Sequence, residues 1–160
     1  MKPLKISISM VVLFIIPIIT FSQSWTDYEW KEYMTQFKIP SDFKVTESSS
    51  TRFSANNGKI LMSIYPRKDE NLSWEEMEDN LRSWTIDNDV ENLGDIVVLD
   101  EEKMNGYWGV LLEGTKSDYS VGTMLIIDPD FPEISLYIWV TYDADEIDTV
   151  IEMLMSFTPA

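Results

Sequence analysis

Histidine and cysteine are both missing from these 160 residues. Most side-chain chemistry at neutral pH runs on one or the other, as general base, nucleophile or soft metal ligand. Their absence excludes Ser-His-Asp and Cys-His catalysis, thiolate zinc centres and disulfide cross-links. Glycine is scarce, with six residues, and Gly106, Gly109, Gly114 and Gly122 never fall into a phosphate-loop spacing. Positive charge is scarce as well: 12 basic residues face 28 acids, for a formal charge of -16. A field of that sign repels nucleic acid and anionic headgroups, so neither is expected as a partner. Carboxylates, hydroxyls, amides and aromatics are what is left to work with.

The first residues read as an export leader. Met1-Lys2-Pro3-Leu4-Lys5 is a short positive end, residues 6–19 form an apolar run, and Thr20-Phe21-Ser22 offers small residues to a signal peptidase. Cleavage after Ser22 would leave residues 23–160 as a single domain. The alternative is an uncleaved anchor, but the run is shorter than the ~20 residues a bilayer span needs, and Pro17 interrupts it. No stable membrane anchor is therefore expected after cleavage. With no cysteine at the junction, lipid attachment of the bacterial lipoprotein kind has no acceptor. A leader ending in Ser-Gln resembles those of Bacteroidetes-type bacteria, which implies a periplasmic or extracellular destination. Lys2 and Lys5 leave with the leader and no acid does, which takes the formal charge from -16 to -18.

Periodicity organises the remainder. Ser24 can cap a helix over residues 25–36, with Trp30, Tyr33, Met34 and Phe37 facing inward. Short strands are expected at 43–48, 51–55 and 59–65, the last two joined by Asn56-Asn57-Gly58, which tolerates the positive φ of a tight hairpin. Ser73 and Glu76 make a capping box at the head of a helix over 73–86, and Trp74, Met77, Leu81 and Trp84 are its core stripe. Strands 95–104 and 107–114 are expected to meet across Asn105-Gly106, followed by strands 119–128 and 134–142. In the last strand Ile134, Leu136, Ile138 and Val140 share one face and Tyr137 and Trp139 the other, so it belongs in the middle of a covered sheet. Asp143 then caps a closing helix whose stripe is Ile147, Val150, Ile151 and Leu154. Short links imply antiparallel pairing. The fold class is α+β, a meandering antiparallel sheet of about seven strands with helices packed on it.

Three stretches carry a family resemblance: a strand trio starting near Phe37-Lys38-Ile39-Pro40, a helix opened by Ser73-Trp74-Glu75-Glu76, and the closing Ile151-Glu152-Met153-Leu154-Met155-Ser156-Phe157. With four meandering strands between them, residues 37–158 resemble the Mog1/PsbP/DcrB-like superfamily through their element order. The resemblance implies an α/β/α sandwich. It also implies a non-enzymatic role, since that group consists mostly of a Ran-binding factor, photosystem extrinsic subunits and bacterial envelope proteins. It supplies no catalytic set to carry over.

Candidate chemistries are few. Asp87-Asn88-Asp89-Val90-Glu91 opens like a calcium loop, but Asn92 and Val98 stand where an EF-hand needs glycine and a bidentate acid. Asp128, Asp130 and Glu133 share a tip stiffened by Pro129 and Pro132, which reads as a polar turn. No metal and no cofactor is expected. Tyr107, Trp108, Tyr137 and Trp139 are candidate binding residues for a groove, set against their reading as core of a covered sheet. The expected function is that of an exported envelope accessory or binding protein, docking a protein partner or small ligand through an acidic or aromatic surface. A small hydrolase with a carboxylate pair, or a carrier of an apolar solute or lipid, is the alternative.

Mass spectrometry of exported material should find Gln23 as the first residue, cyclised or not. Intact Met1 in a membrane fraction would contradict the leader.

Overall fold

The computed structural model describes residues 22–160, so the expected leader lies outside the described residues except for Ser22. Among them the strands are β1 (Trp25–Trp30), β2 (Thr35–Pro40), β3 (Lys44–Ser48), β4 (Phe53–Asn56) and β5 (Ile60–Lys68), then β6 (Val97–Leu99), β7 (Trp108–Lys116), β8 (Tyr119–Ile127), β9 (Ile134–Tyr142) and β10 (Thr158–Pro159). Helix α1 (Met77–Asp87) links β5 to β6, and α2 (Ile147–Leu154) follows β9. The main sheet is antiparallel throughout, in the order β3-β4-β5-β9-β8-β7-β6. The chain walks outward-in through β3, β4 and β5, crosses to the far edge by way of α1, and walks back to pair β9 with β5. That closing ladder runs the full nine residues, from Ile60↔Tyr142 to Lys68↔Ile134. A second sheet, β1-β2-β10, is built on β2.

Both faces of the main sheet are covered, as the two-sided apolarity of β9 requires. On one face Phe53, Met62, Ile64, Ile138 and Val140 pack beneath Trp30, Phe37 and Ile39 of the small sheet and Val150, Met153 and Leu154 of α2. Aromatic rings seal this core: Phe53 lies 4.8 Å from Tyr28 and 5.1 Å from Phe37, and Phe37 stacks on Phe157 at 4.7 Å. On the other face Met77 and Leu81 of α1 sit on Val110, Leu112, Leu125, Ile127 and Tyr137. Each such fully buried side chain contributes about 1.5–3 kcal/mol relative to exposure. A polar contact pins α1 to the sheet, the buried hydroxyls of Thr85 and Thr123 lying 2.7 Å apart.

The expected helix over 25–36 is instead a strand, a short 3-10 turn at Lys31–Tyr33 and a second strand. Trp30, Tyr33 and Phe37 do face inward, but Met34 has φ 46° and is 47 % exposed. A left-handed residue ends any helix there. The chain then alternates, with Thr35, Phe37 and Ile39 buried and Gln36 and Lys38 exposed, which is the period of a strand. The helical spacing of Trp30, Tyr33, Met34 and Phe37 was a coincidence of a hairpin that buries the end of its first arm and alternate residues of its second.

A second difference lies at 95–107. The expected strand shrinks to Val97–Leu99, and Asn105-Gly106 does not close a two-residue hairpin. Both residues take positive φ, as their types favour, but they end a helical turn in which Met104 N–H donates to Asp100 and Gly106 N–H to Glu101, at 2.9 and 2.8 Å. Met104 is driven fully into the core, and the Asn105 amide donates to the carbonyls of Met155 and Phe157. Tertiary anchoring outbid the local hairpin preference. At the closing helix Asp143 stands at the cap position without a side-chain cap bond, and Met153 is buried where Ile151 was expected.

Phe53→Ala should lower unfolding stability by roughly 3–5 kcal/mol, since the ring is fully buried among three others. Trp84→Ala, at a half-buried position, should cost less. Urea titrations of both variants check the order, and the reverse order would mean the second core dominates.

Candidate functional site

At the head of α1 the capping box forms as its residue types demand. Ser73 N–H and its hydroxyl both donate to Glu76 Oε2, at 2.8 and 2.9 Å. These bonds hold the Glu76 carboxyl below its ordinary pKa. The box turns Glu76 back on the cap and sets Trp74 and Glu75 in a 3-10 turn ahead of α1. Opposite them, the turn after β6 presents Asp100, Glu101 and Glu102, all exposed. Trp108, the first residue of β7, donates its indole N–H to Glu101 Oε1 at 2.8 Å. The Trp74 and Trp108 rings meet edge to face, with centroids 5.8 Å apart and planes at 63°. Ser73, Trp74, Glu75, Asp100, Glu101, Glu102 and Trp108 together line an open cleft of about 690 Å³.

The cleft combines two indole surfaces with four carboxylates. Indole faces carry negative quadrupole potential, which attracts cations as carboxylates do. Lys103 is the basic residue beside it, its Nζ lying 3.8 Å from Asp100 Oδ2 with both groups exposed. An exposed pair of that kind contributes ~0–1 kcal/mol and is readily exchanged. Among the described residues Glu75, Glu101 and Glu102 form no ion pair.

The four aromatics singled out from the sequence do not meet in one groove. Tyr107 is buried in the core beneath the small sheet and lines a slot with Tyr33, Met34, Ile126, Phe131 and Leu136. That slot holds about 20 Å³, room for about one water. Burial pushes the Tyr107 phenol up to about 12. Tyr137 is buried on the α1 side, its hydroxyl 3.2 Å from Glu70 Oε2 and its ring 4.5 Å from the Arg67 guanidinium. Burial raises that phenol too, with the Glu70 charge adding to the effect. Trp139 is half-buried against Trp84, at 6.1 Å, with Lys116 Nζ 5.7 Å from its ring. Trp108 alone of the four lines the acidic cleft. Its companion Trp74 reads in the sequence as core stripe. The signals that distinguish it are its place in the first turn, directly after the cap, and the run Asp100-Glu101-Glu102 shortly before Trp108.

The two acidic loops are tied up otherwise. Lys116 donates to the Asn88 carbonyl at 2.7 Å and lies 3.6 Å from Asp89 Oδ2, while the Glu91 backbone pairs with Thr115. Asp128 Oδ1 accepts from Asp130 N–H at 2.9 Å, closing the Asx turn of the 128–133 tip. Among the described residues no three acidic side chains converge as a metal site would need. No helix among them is long and apolar enough to cross a membrane.

No family profile matches the chain, and no curated protein matches it in sequence. Solved structures do match in fold. The Ran-binding protein Mog1p of Saccharomyces cerevisiae superposes with a TM-score of 0.58 at 11% identity, over 86% of this chain and 96% of that one. The cyanobacterial PsbP of Synechocystis gives 0.57 at 12% identity, over 88% and 95%. A protein from Bacteroides thetaiotaomicron gives 0.50 at 12% identity, with 84% of this chain matching 48% of that one. The fold is therefore Mog1/PsbP-like, as the element order implies.

Burial raises the Tyr107 pKa, so the folded state holds the phenolic proton more tightly than the unfolded chain does. Its contribution to stability is complete below the unfolded value of about 10 and is lost as pH rises towards 12. Urea midpoints between pH 8 and pH 11 should fall less steeply for Tyr107→Phe than for the native chain. Parallel curves would place the phenol in water.

Proposed function

We propose that this chain is an exported envelope accessory protein that binds a protein partner, performs no chemistry of its own, and docks through the Trp74–Trp108 cleft. The observation that carries this reading is the cleft itself, a large open recess lined by two indoles and four exposed carboxylates, of which Glu75 and Glu102 form no ion pair among the described residues. Half-buried tryptophan is what protein interfaces use for anchoring, because it brings much apolar area at little entropic cost. The fold neighbours agree in kind, one being described as a Ran-binding protein. Export rests on the leader reading of residues 1–22.

A carboxylate-pair hydrolase needs one acid enclosed by apolar surface so that it can donate a proton. Glu75, Asp100, Glu101 and Glu102 are all exposed, which favours docking over that chemistry. A carrier needs an enclosed apolar cavity of ~300 Å³ or more, and the slot at Tyr107 is far below that.

A photo-reactive phenylalanine at position 102, on the cleft rim, should cross-link a discrete partner in the envelope of the native host. The same residue at position 119, at the far end of β8, should not, and Trp108→Ala should abolish the product at 102. Equal labelling from both positions would remove the cleft from the docking surface.

A further inference from the structure

We propose that the cleft receives an arginine side chain, carried on an extended segment of the partner that runs along the open edge of β6; this rests on the docking reading above. Charge complementarity sets the sign. Four carboxylates surround the two indoles, and Lys103, itself exposed, sits on Asp100 alone. Glu101 is oriented by the Trp108 indole N–H and Asp100 accepts from the Lys103 backbone N–H at 3.1 Å. Among the described residues Glu75 and Glu102 are therefore the carboxylates open to an incoming donor, and Asp100 joins them where Lys103 is exchanged.

The shape sets the type of cation. A quaternary ammonium is enclosed by several aromatic walls, whereas Trp74 and Trp108 are two rings at 63° that leave one side open. A guanidinium is planar, stacks on an indole face, and at the same time donates in its own plane to carboxylates at the rim. An ammonium is a compact and strongly hydrated point charge that gains less from the indoles.

The neighbouring edge sets the vehicle. Among the described residues β6 pairs with β7 alone, so its outer side keeps unpaired backbone groups there. Val97 and Val98 are exposed there, at 48 % and 38 %, and the strand runs straight into Asp100 at the cleft. Val98 pairs with Val110, which shares the sheet face of Trp108 two residues away. An added strand thus finds main-chain partners and apolar contacts beside β6 and brings one side chain to the indoles.

The test titrates the mature chain with the peptide acetyl-Thr-Val-Arg-Val-Thr-amide and follows the indole N–H signals by NMR. Two further peptides replace arginine by citrulline, its neutral isostere, and by lysine. The arginine peptide should saturate with shifts at Trp74 and Trp108, bind at least tenfold more tightly than the citrulline peptide, and outbind the lysine peptide. Binding should weaken with added salt. The charge-neutral triple variant E75Q/D100N/E102Q alters only exposed groups and should lose the arginine preference while keeping its melting temperature. Equal binding of the citrulline peptide would overturn the cation site yet leave docking intact. A lysine peptide that binds as well would overturn the choice of arginine. Absence of any indole shift at millimolar peptide would overturn the whole inference, whereas the cross-link from position 102 judges the docking reading separately.

Discussion

Strand β9 carries Leu136, Ile138, Val140 and Tyr142 on one face and Tyr137 and Trp139 on the other, and it joins two halves of the chain that are remote in sequence. Its nine-residue ladder with β5 closes the main sheet between the β3-β4-β5 meander and the β6-β7-β8-β9 meander. Without that ladder each half is a small sheet with a bare apolar edge. With it, β9 becomes the fourth strand of seven, and both of its faces must be covered. One layer is then α2 with the β1-β2-β10 sheet, and the other is α1. No disulfide assists, so apolar burial and the ladders themselves hold the layers together.

The two covers are unequal, and the site follows from that inequality. The small sheet and α2 seal their face with Phe37, Phe53 and Phe157, all buried. Helix α1 is short, 11 residues, and spans only part of the opposite face. Indoles at both of its ends are left half-buried: Trp84 with Trp139 at one end, Trp74 with Trp108 at the other. At the second end the turn after β6 adds three successive acids. A seam between cover and sheet thus becomes a cleft with indole walls and a negative rim. The strongly acidic balance of the whole chain strengthens the negative field at this rim.

Sharing a fold with Mog1p and PsbP does not transfer a partner, because function resides in sites placed on folds. Identities of 11% and 12% leave the surfaces free to differ. What this architecture supplies here is a sheet covered on both faces, with α1 and the β6–β7 turn meeting at one end.

Much of this was legible in the sequence wherever a local pattern and the global packing agree. The two-sided apolarity of β9 predicted a central strand, Ser73 with Glu76 predicted the cap, and the β8 and β9 boundaries lie within a residue of expectation. Trp108 stands among the sequence's binding candidates, but its neighbours in the cleft do not. Trp74 and the three acids are 26 to 28 residues apart in sequence, and only the crossover of α1 to the far edge brings them together. Where local signals are ambiguous, tertiary contacts decided. Residues 25–36 satisfy a helical and a hairpin spacing alike, and the need to cover the β4-β5-β9 face selected the hairpin. Asn105-Gly106 fits either a tight hairpin or the end of a helical turn, and burial of Met104 with the Asn105 bonds to the C-terminal segment selected the turn. Sequence alone determines periodicity, charge and permitted backbone conformations, which are properties of neighbours along the chain. Which distant surfaces meet depends on the free energy of burying them together, and that sum exists only in the folded whole.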